Sequence, residues 1–213
     1  MNHETPEGKR LVEDFSLEAL RGGDRAEFAR LVESYSARIY RLALKMLNNP
    51  QDAEDVLQDT FLKAFRGLPN FDGRSSLSTW LYRIAANEAL MFLRRNKHII
   101  VSLDEPQETN DQTEGEPMQV IDWCCLPEEE LMSSEARAVL DKAVEALPHN
   151  LRVVFLLRDI EGLSTLETGE ALNLSEMAVK TRLSRARLRL REMLTGYYGE
   201  RLAHQRQERK NAG

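Results

Sequence analysis

The sequence predicts an all-α chain: two small helical domains joined by an acidic flexible linker, the C-terminal one a helix-turn-helix. Three observations predict this. Apolar residues recur at three- to four-residue spacing through most of residues 24–95 and 134–194, and nowhere does the period of two required by a strand compete. Segment Ser164–Leu194 reads as a short helix, a three-residue turn and a long basic helix. Between the two periodic regions, residues 98–135 hold 11 acidic residues and no Lys or Arg.

The C-terminal segment gives the sharpest reading. Ser164 and Glu167 have the spacing of a capping box, which satisfies amides left without partners at a helix start. Leu166, Gly169 and Leu172 are read as the inner face of that first helix, and Asn173 suits the left-handed conformation that ends one. Ser175 then caps a second helix, along which Val179, Leu183, Ala186, Leu190 and Met193/Leu194 make an apolar seam. The remaining faces carry six cations against one acid between Lys180 and Glu192. A solvated basic face needs less imbalance than that, so the pattern points to a helix lying in a DNA major groove. Upstream, Asn150–Glu161 reads as a buried helix entered through Pro148 and left through Gly162, and a further helix near Glu135–Leu147 completes the domain.

Composition bounds the partners. The net charge of −6 averages over segments of about +1 (residues 1–97), −11 (98–135) and +4 (136–213), so the acidity lies in the middle segment and does not argue against nucleic acid. No apolar run approaches the roughly 18 residues a membrane span needs, and no signal-peptide core is present. The adjacent pair Cys124-Cys125 supports neither a disulfide framework nor zinc spacing, although a vicinal redox switch is conceivable. These features point to a reducing cytoplasm. No cofactor or metal is expected, and with scattered His, no nucleophile–base pairing and no Gly-rich phosphate loop the chain does not read as an enzyme or as binding a small-molecule substrate.

In the N-terminal half, Phe15, Leu17 and Leu20 suggest a short helix ended by Gly22-Gly23. A helix from Asp24 buries Phe28, Leu31, Val32, Tyr35, Ile39, Leu42, Ala43 and Met46. Asn48-Asn49-Pro50 ends it and starts the next, with Asn49 as cap and Asp52, Glu54 and Asp55 in the first turn. That helix buries Ala53, Val56, Leu57, Phe61, Ala64 and Phe65 and stops near Gly67-Leu68-Pro69. A polar loop, Asn70–Ser76, leads to a third helix from about Ser78 to Arg95. The domain reading is therefore an extension 1–23, a helical domain 24–96, a linker 97–133, a helix-turn-helix domain 134–195, and a tail 196–213. The tail is read as disordered, with extension of the last helix or contact with upstream DNA as alternatives.

Two motif sets in this order resemble bacterial sigma factors. DAEDVLQDTFLKAF (52–65) with FDGRSSLSTWLYRIAANEALMFLRR (71–95) is similar to their second conserved region, and Leu147–Leu194 to their fourth. With only an acidic linker between, the chain resembles the extracytoplasmic-function class. The resemblance implies that Asp55, Gln58 and Asp59, in an acidic stripe with Asp52, meet the basic β′ clamp coiled coil of core RNA polymerase, and that the C-terminal domain meets the β flap. It also implies promoter −10 recognition by the third helix and the loop before it.

The residues supply what that task needs: cations for phosphates, aromatics to stack on unstacked bases, and a pocket for a flipped base. The candidates are Asn70, Phe71, Arg74, Ser75, Ser76, Trp80, Tyr82, Arg83, Asn87, Arg94 and Arg95. Asn87 matches a family position on −10 DNA, whereas Trp80, spaced with Leu81 and Ile84, also fits a core position. For the −35 element the resemblance assigns Lys180, Thr181, Ser184 and Arg185 to base reading. Arg182 and Arg187 would hold phosphates, and Ser175 sits at the helix start. The chain departs from the family at Met91, where many members have Asp, at Gly169, usually Ala, and at Asn173, often Gly. The last two are read as sterically permissible.

The acidic linker would thread the polymerase channels that later hold nucleic acid, or shield the basic face in the free chain. Hydrophobic residues in Met118–Cys125 suggest that part of it docks. The functional expectation is an alternative sigma factor, cytoplasmic and nucleoid-associated, directing polymerase to promoters and melting the −10 region. The resemblance implies an anti-sigma factor that could hold it at the membrane. A stand-alone helix-turn-helix regulator is the rival reading.

Overall fold

The computed structural model describes residues 15–100 and 134–211, with side chains over 15–95 and 138–195. The linker expectations, Cys124-Cys125 and residues 1–14 lie outside these residues. Among the described residues every regular element is helical.

Helix α1 (Leu17–Arg21) is capped by Ser16 and buries Leu20. Helix α2 (Arg25–Leu47) starts at Asp24, whose carboxylate accepts from the amides of Ala26 and Glu27, and buries Leu31, Tyr35, Ile39, Leu42, Ala43 and Met46. It stops because Asn48 turns left-handed at φ 55°, a conformation Asn tolerates better than most residues. Helix α3 (Pro50–Gly67) is capped by Asn49 with Pro50 in its first turn, where a missing N–H costs nothing. A short 3₁₀ turn, Leu68–Asn70, then leads to helix α4 (Leu77–Ile100). Packed against one another, α2, α3 and α4 make the N-terminal domain.

The C-terminal domain comprises α5 (Ser134–Glu145), α6 (His149–Phe155), a π turn over Leu156–Ile160, α7 (Thr165–Leu172) and the 36-residue α8 (Glu176–Asn211). The α8 seam consists of Val179, Leu183, Ala186, Leu190 and Leu194, all buried. The capping box is complete: Ser164 Oγ accepts from the Glu167 amide at 3.1 Å, and Glu167 Oε2 accepts from the Ser164 amide at 2.7 Å.

Four expectations are corrected. Leu166 is 56% exposed; Thr168, Gly169 and Ala171 form the inner face instead, because α7 is covered by both α8 and α4. Phe65 is exposed rather than core, resting edge-on against Phe28 with centroids 5.0 Å apart. Met193 is partly exposed, leaving the seam position to Leu194. The helices also outrun their predicted ends. The backbone of α4 continues to Ile100, past the read boundary at 96, and that of α8 runs to Asn211, so the tail extends the last helix rather than being disordered.

The two domains are not merely tethered. Helix α4 packs on α7, and α2 on α5 and α6. Ala85, Ala86 and Ala89, all buried, give α4 small side chains that permit close helix approach on more than one side.

Candidate nucleic-acid interface

Helix α3 presents Asp55, Gln58 and Asp59 exposed, with Asp52 half-buried at its start. They do not stand on a plain solvated face. Asp55, Gln58 and Asp59 form one rim of a groove of about 250 Å³ between α3 and α4, floored by Val56, Leu62, Met91 and Phe92 and closed by Arg95. Glu88 also lines it, buried and paired with Lys63 at 2.5 Å, which neutralises the carboxylate that α4 turns inward. Acidic edge and apolar floor together suit a partner helix carrying cations around an apolar stripe. Met91, 39% exposed, adds apolar surface to this groove.

On α4, Arg83, Asn87, Arg94 and Arg95 are exposed; Arg83, Asn87 and Arg94 recur at helical spacing, giving a cationic strip with one amide in it. The predicted aromatics are placed differently. Phe71 and Trp80 are buried and in mutual contact at 5.0 Å between centroids, and Trp80 lies against Gly67, where a Cβ would meet its ring at 3.0 Å. Both therefore sit in the core that shapes the loop. Tyr82 is 2% exposed, its hydroxyl donating to Glu161 Oε2 at 2.5 Å. Burial, and next the Glu161 charge, push its pKa far above the usual tyrosine value, with Arg38 opposing, so the hydroxyl is a firm donor.

The loop Asn70–Ser76 is a built turn. Arg21 Nε donates to the Phe71 carbonyl at 2.8 Å, fastening α1 to it. Asp72 accepts from the Arg74 amide and pairs with its guanidinium at 2.7 Å, an exposed ion pair of small worth that phosphate could replace. Gly73 takes φ 78°. Ser76 Oγ accepts from the Thr79 amide at 3.1 Å and lies 2.7 Å from Thr79 Oγ1, so it starts α4. Asn70 and Arg74 are exposed and Ser75 half-buried.

In the helix-turn-helix, Leu174 N donates to the Gly169 carbonyl at 2.9 Å and Asn173 takes φ 54°. Ser175 Oγ caps α8 through the Ala178 amide at 3.2 Å. One exposed face of α8 then carries Lys180, Thr181, Ser184 and Arg185 together, opposite the buried seam. Lys180 lies 4.0 Å from Glu176 one turn earlier, too loose to hold it. Arg182 is half-buried at the edge. Arg187 is engaged within the domain by Asp159, whose hydrogen bonds raise its pKa.

Two structural roles escape the sequence reading. Arg152 is buried, and its guanidinium donates to the carbonyls of Met46 at 2.9 Å, Leu147 at 3.0 Å, Lys45 at 3.4 Å and Glu145. Burial lowers its pKa, the Glu145 charge opposing. The signal was one cation inside the apolar run Leu151–Leu157, where a buried charge must find acceptors. Glu161, the partner of Tyr82, carried no signal. Among the described residues no group of three or more His, Cys, Asp or Glu is placed to hold a metal ion, and no helix is long and apolar enough to cross a membrane.

Comparison with known proteins meets this geometry. Residues 31–99 match the family model Sigma-70 region 2, and residues 137–190 match Sigma-70, region 4. The chain is 35% identical to the extracytoplasmic-function sigma factor SigW of Bacillus subtilis over 184 residues, covering 84% of this chain and 94% of that protein. It is 31% identical to the RNA polymerase sigma-H factor of Pseudomonas aeruginosa, over 80% of this chain and 88% of that one. The sigma-E factor of Escherichia coli K12 is also 31% identical, over 84% and 92%. The fold is shared with CnrH, solved with the cytosolic domain of CnrY (TM-score 0.60, 24% identity, 84% of this chain and 95% of that chain). It is shared as well with RpoE of Bartonella quintana, solved with the anti-sigma factor NepR (TM-score 0.58, 22% identity, 79% and 97%).

Proposed function

The chain belongs to the extracytoplasmic-function class of bacterial sigma-70 factors, which direct RNA polymerase to promoters, and from that premise we propose how its residues divide the work. The α3 rim of Asp55, Gln58 and Asp59, with Asp52 beside it, docks core polymerase on the basic β′ clamp coiled coil, and the C-terminal domain meets the β flap. Complementary charge sets the register of that contact and speeds encounter.

The −10 element is read by the strip Arg83, Asn87, Arg94 and Arg95 together with the loop Asn70–Ser76, in which Asn70 and Arg74 are exposed and Ser75 is half-buried. Phe71, Trp80 and Ser76 hold that loop in shape, and Tyr82 joins the interface once uncovered. The −35 element is read by Lys180, Thr181, Ser184 and Arg185, with Arg182 and Arg187 on phosphates. The factor works by positioning and strand separation, without catalysis of its own.

The observation that carries this reading is the pairing, on one chain, of an acidic docking groove on α3 with a cationic, exposed recognition face on α8. A stand-alone regulator has no use for the groove. A structure of this fold solved with an anti-sigma factor supports a cognate anti-sigma partner, and the released factor acts on promoters in the cytoplasm, at the nucleoid. Open-complex formation on a promoter library tests the reading, using the chain, core polymerase, and both together. Sequence-selective melting only with both is expected. Selective duplex binding by the chain alone, indifferent to polymerase, would overturn it.

A further inference from the structure

Two lines of side chains run along α8 with the same spacing. The buried seam is Val179, Leu183, Ala186 and Leu190. Two residues ahead of each stand Met177, Thr181, Ser184 and Leu188, all exposed. Two residues are about 200° around a helix, so this outer line points directly away from the domain. It carries no charge. Successive steps of about 100° put Lys180 and Arg191 along one side of it and Arg182, Arg185 and Arg189 along the other. A neutral centre between cationic flanks matches a major groove, where base edges lie between two walls of phosphate.

Met177 is the residue on this line that helix stability does not explain. It is 71% exposed, more than any other large apolar side chain among the described residues. In the first turn of a helix an acidic residue would be favoured by the helix dipole, and Glu176 beside it supplies one. Met177 adds nothing to that end of the helix and packs little of its surface on the domain. Its backbone is nevertheless fixed: Ser175 Oγ accepts from the Ala178 amide at 3.2 Å and the Ser175 carbonyl from the Val179 amide at 3.0 Å. A recognition helix meets base edges with its N-terminal residues. The apolar group on a major-groove edge is the thymine C5-methyl, and an unbranched thioether adapts to it readily. We propose that Met177 is a specificity-determining residue of the −35 contact, reading a thymine methyl from the first turn of α8. Lys180 and Arg185 reach base edges from the flanks while Met177 reads from the centre line. Leu188, three turns further on, lies past the N-terminal turns and takes no part.

The role of Met177 rests on the −35 reading proposed above, and deoxyuridine separates the two. Deoxyuridine pairs as thymidine does but lacks the C5-methyl. Holoenzyme binding is measured on a promoter selected from the library, with each −35 thymine of either strand replaced in turn. At one position uracil should weaken wild-type binding about fourfold, the worth of one buried methyl-sized group. Met177→Ala should bind the thymine promoter about fourfold more weakly and be indifferent to uracil there, with its thermal melt unchanged. Met177→Leu should keep part of the preference, and Leu188→Ala should keep all of it. Selected −35 elements without thymine, or wild-type binding blind to uracil, would overturn the role of Met177. So would uracil sensitivity that survives Met177→Ala, or a loss of core-polymerase affinity in that variant with the uracil pattern intact. In each of these cases −35 selectivity that Arg185→Ala removes would leave the wider reading standing. Holoenzyme binding indifferent to every −35 base would overturn both.

Discussion

Arg187 grips Asp159 with both arms of its guanidinium, Nε at 2.9 Å and Nη2 at 2.8 Å, and so pins the recognition helix to the π turn. Phosphate binding by Arg187 has to compete with this pair. Asp159→Ala should therefore act twice. It releases Arg187 for phosphate, raising the steepness of the salt dependence by roughly one. It also removes a partly exposed bidentate pair worth at most about 1 kcal/mol, lowering the melting temperature by about 2–4 °C. Salt-titrated binding to −35 duplexes and a thermal melt check both. A melt unchanged and a slope unchanged would mean the pair contributes nothing.

Gly169 is matched to its turn rather than merely tolerated in it. A Cβ there would stand 2.7 Å from the Leu174 carbonyl oxygen, a backbone atom that can move only if the turn moves. A side chain at this place would need a differently opened turn, so Gly169 and the left-handed Asn173 read as a linked pair. Gly169→Ala should destabilise the C-terminal domain by about 1–3 kcal/mol, the usual cost of overpacking, despite the better helix propensity of Ala. Denaturant unfolding measures it.

Local features of this fold were legible because a few neighbouring residues determine them. The caps at Asn49, Ser164 and Ser175 and the left-handed Asn173 fall where the sequence placed them, as do the start of α2 at Asp24 and its end at Asn48. The spacing of α8 correctly separated the Lys180–Arg185 face from the buried seam. What escaped was set by distant partners. Tyr82 reads as an exposed aromatic until Glu161, 79 residues away, covers its hydroxyl. Leu166 looks like core until α4 arrives on the other side of α7 and turns Thr168 and Ala171 inward. Trp80 was the stacking candidate whose spacing also fitted a core position, and its contact with Gly67 is one of packing. The continuation of α4 to Ile100 and α8 to Asn211 lay beyond the apolar periodicity that marks a helix in sequence.

Alkaline pH should weaken the domain contact. The native pKa of Tyr82 lies far above that of an unfolded tyrosine, about 10. Its contribution to stability is thus complete below about pH 10 and is lost as pH rises from there toward the native value. Unfolding free energy of the wild type should fall more steeply above that pH than for Tyr82→Phe, with the two curves parallel at neutral pH. Parallel curves throughout would show that the tyrosine ionises freely in the folded chain.

Reversing charge on the α3 rim should separate polymerase docking from folding. Asp59 is exposed, so Asp59→Lys should leave the thermal melt within about 0.5 kcal/mol of the wild type. Core-polymerase affinity should fall about tenfold or more through like-charge repulsion. Leu62→Ala, in the same groove, should weaken binding without changing its salt dependence, since the floor is apolar. Competition binding at two ionic strengths distinguishes the two effects.

On the recognition helix, base readers and phosphate holders should fail differently. Lys180 and Arg185 share the exposed face with Thr181 and Ser184, and neither is locked into a tight ion pair that would hold it off a base edge. Loss of a good bidentate base contact costs about 1–3 kcal/mol and does so only at the base contacted. Arg185→Ala should therefore flatten promoter preference at one −35 position, whereas Arg182→Ala should weaken all promoters alike and reduce the salt slope by roughly one. Binding over single-base −35 variants, repeated across a salt series, yields both quantities from one data set. Uniform loss with Arg185→Ala would move that residue to the backbone and leave Lys180, five residues earlier on the exposed face, as the base reader.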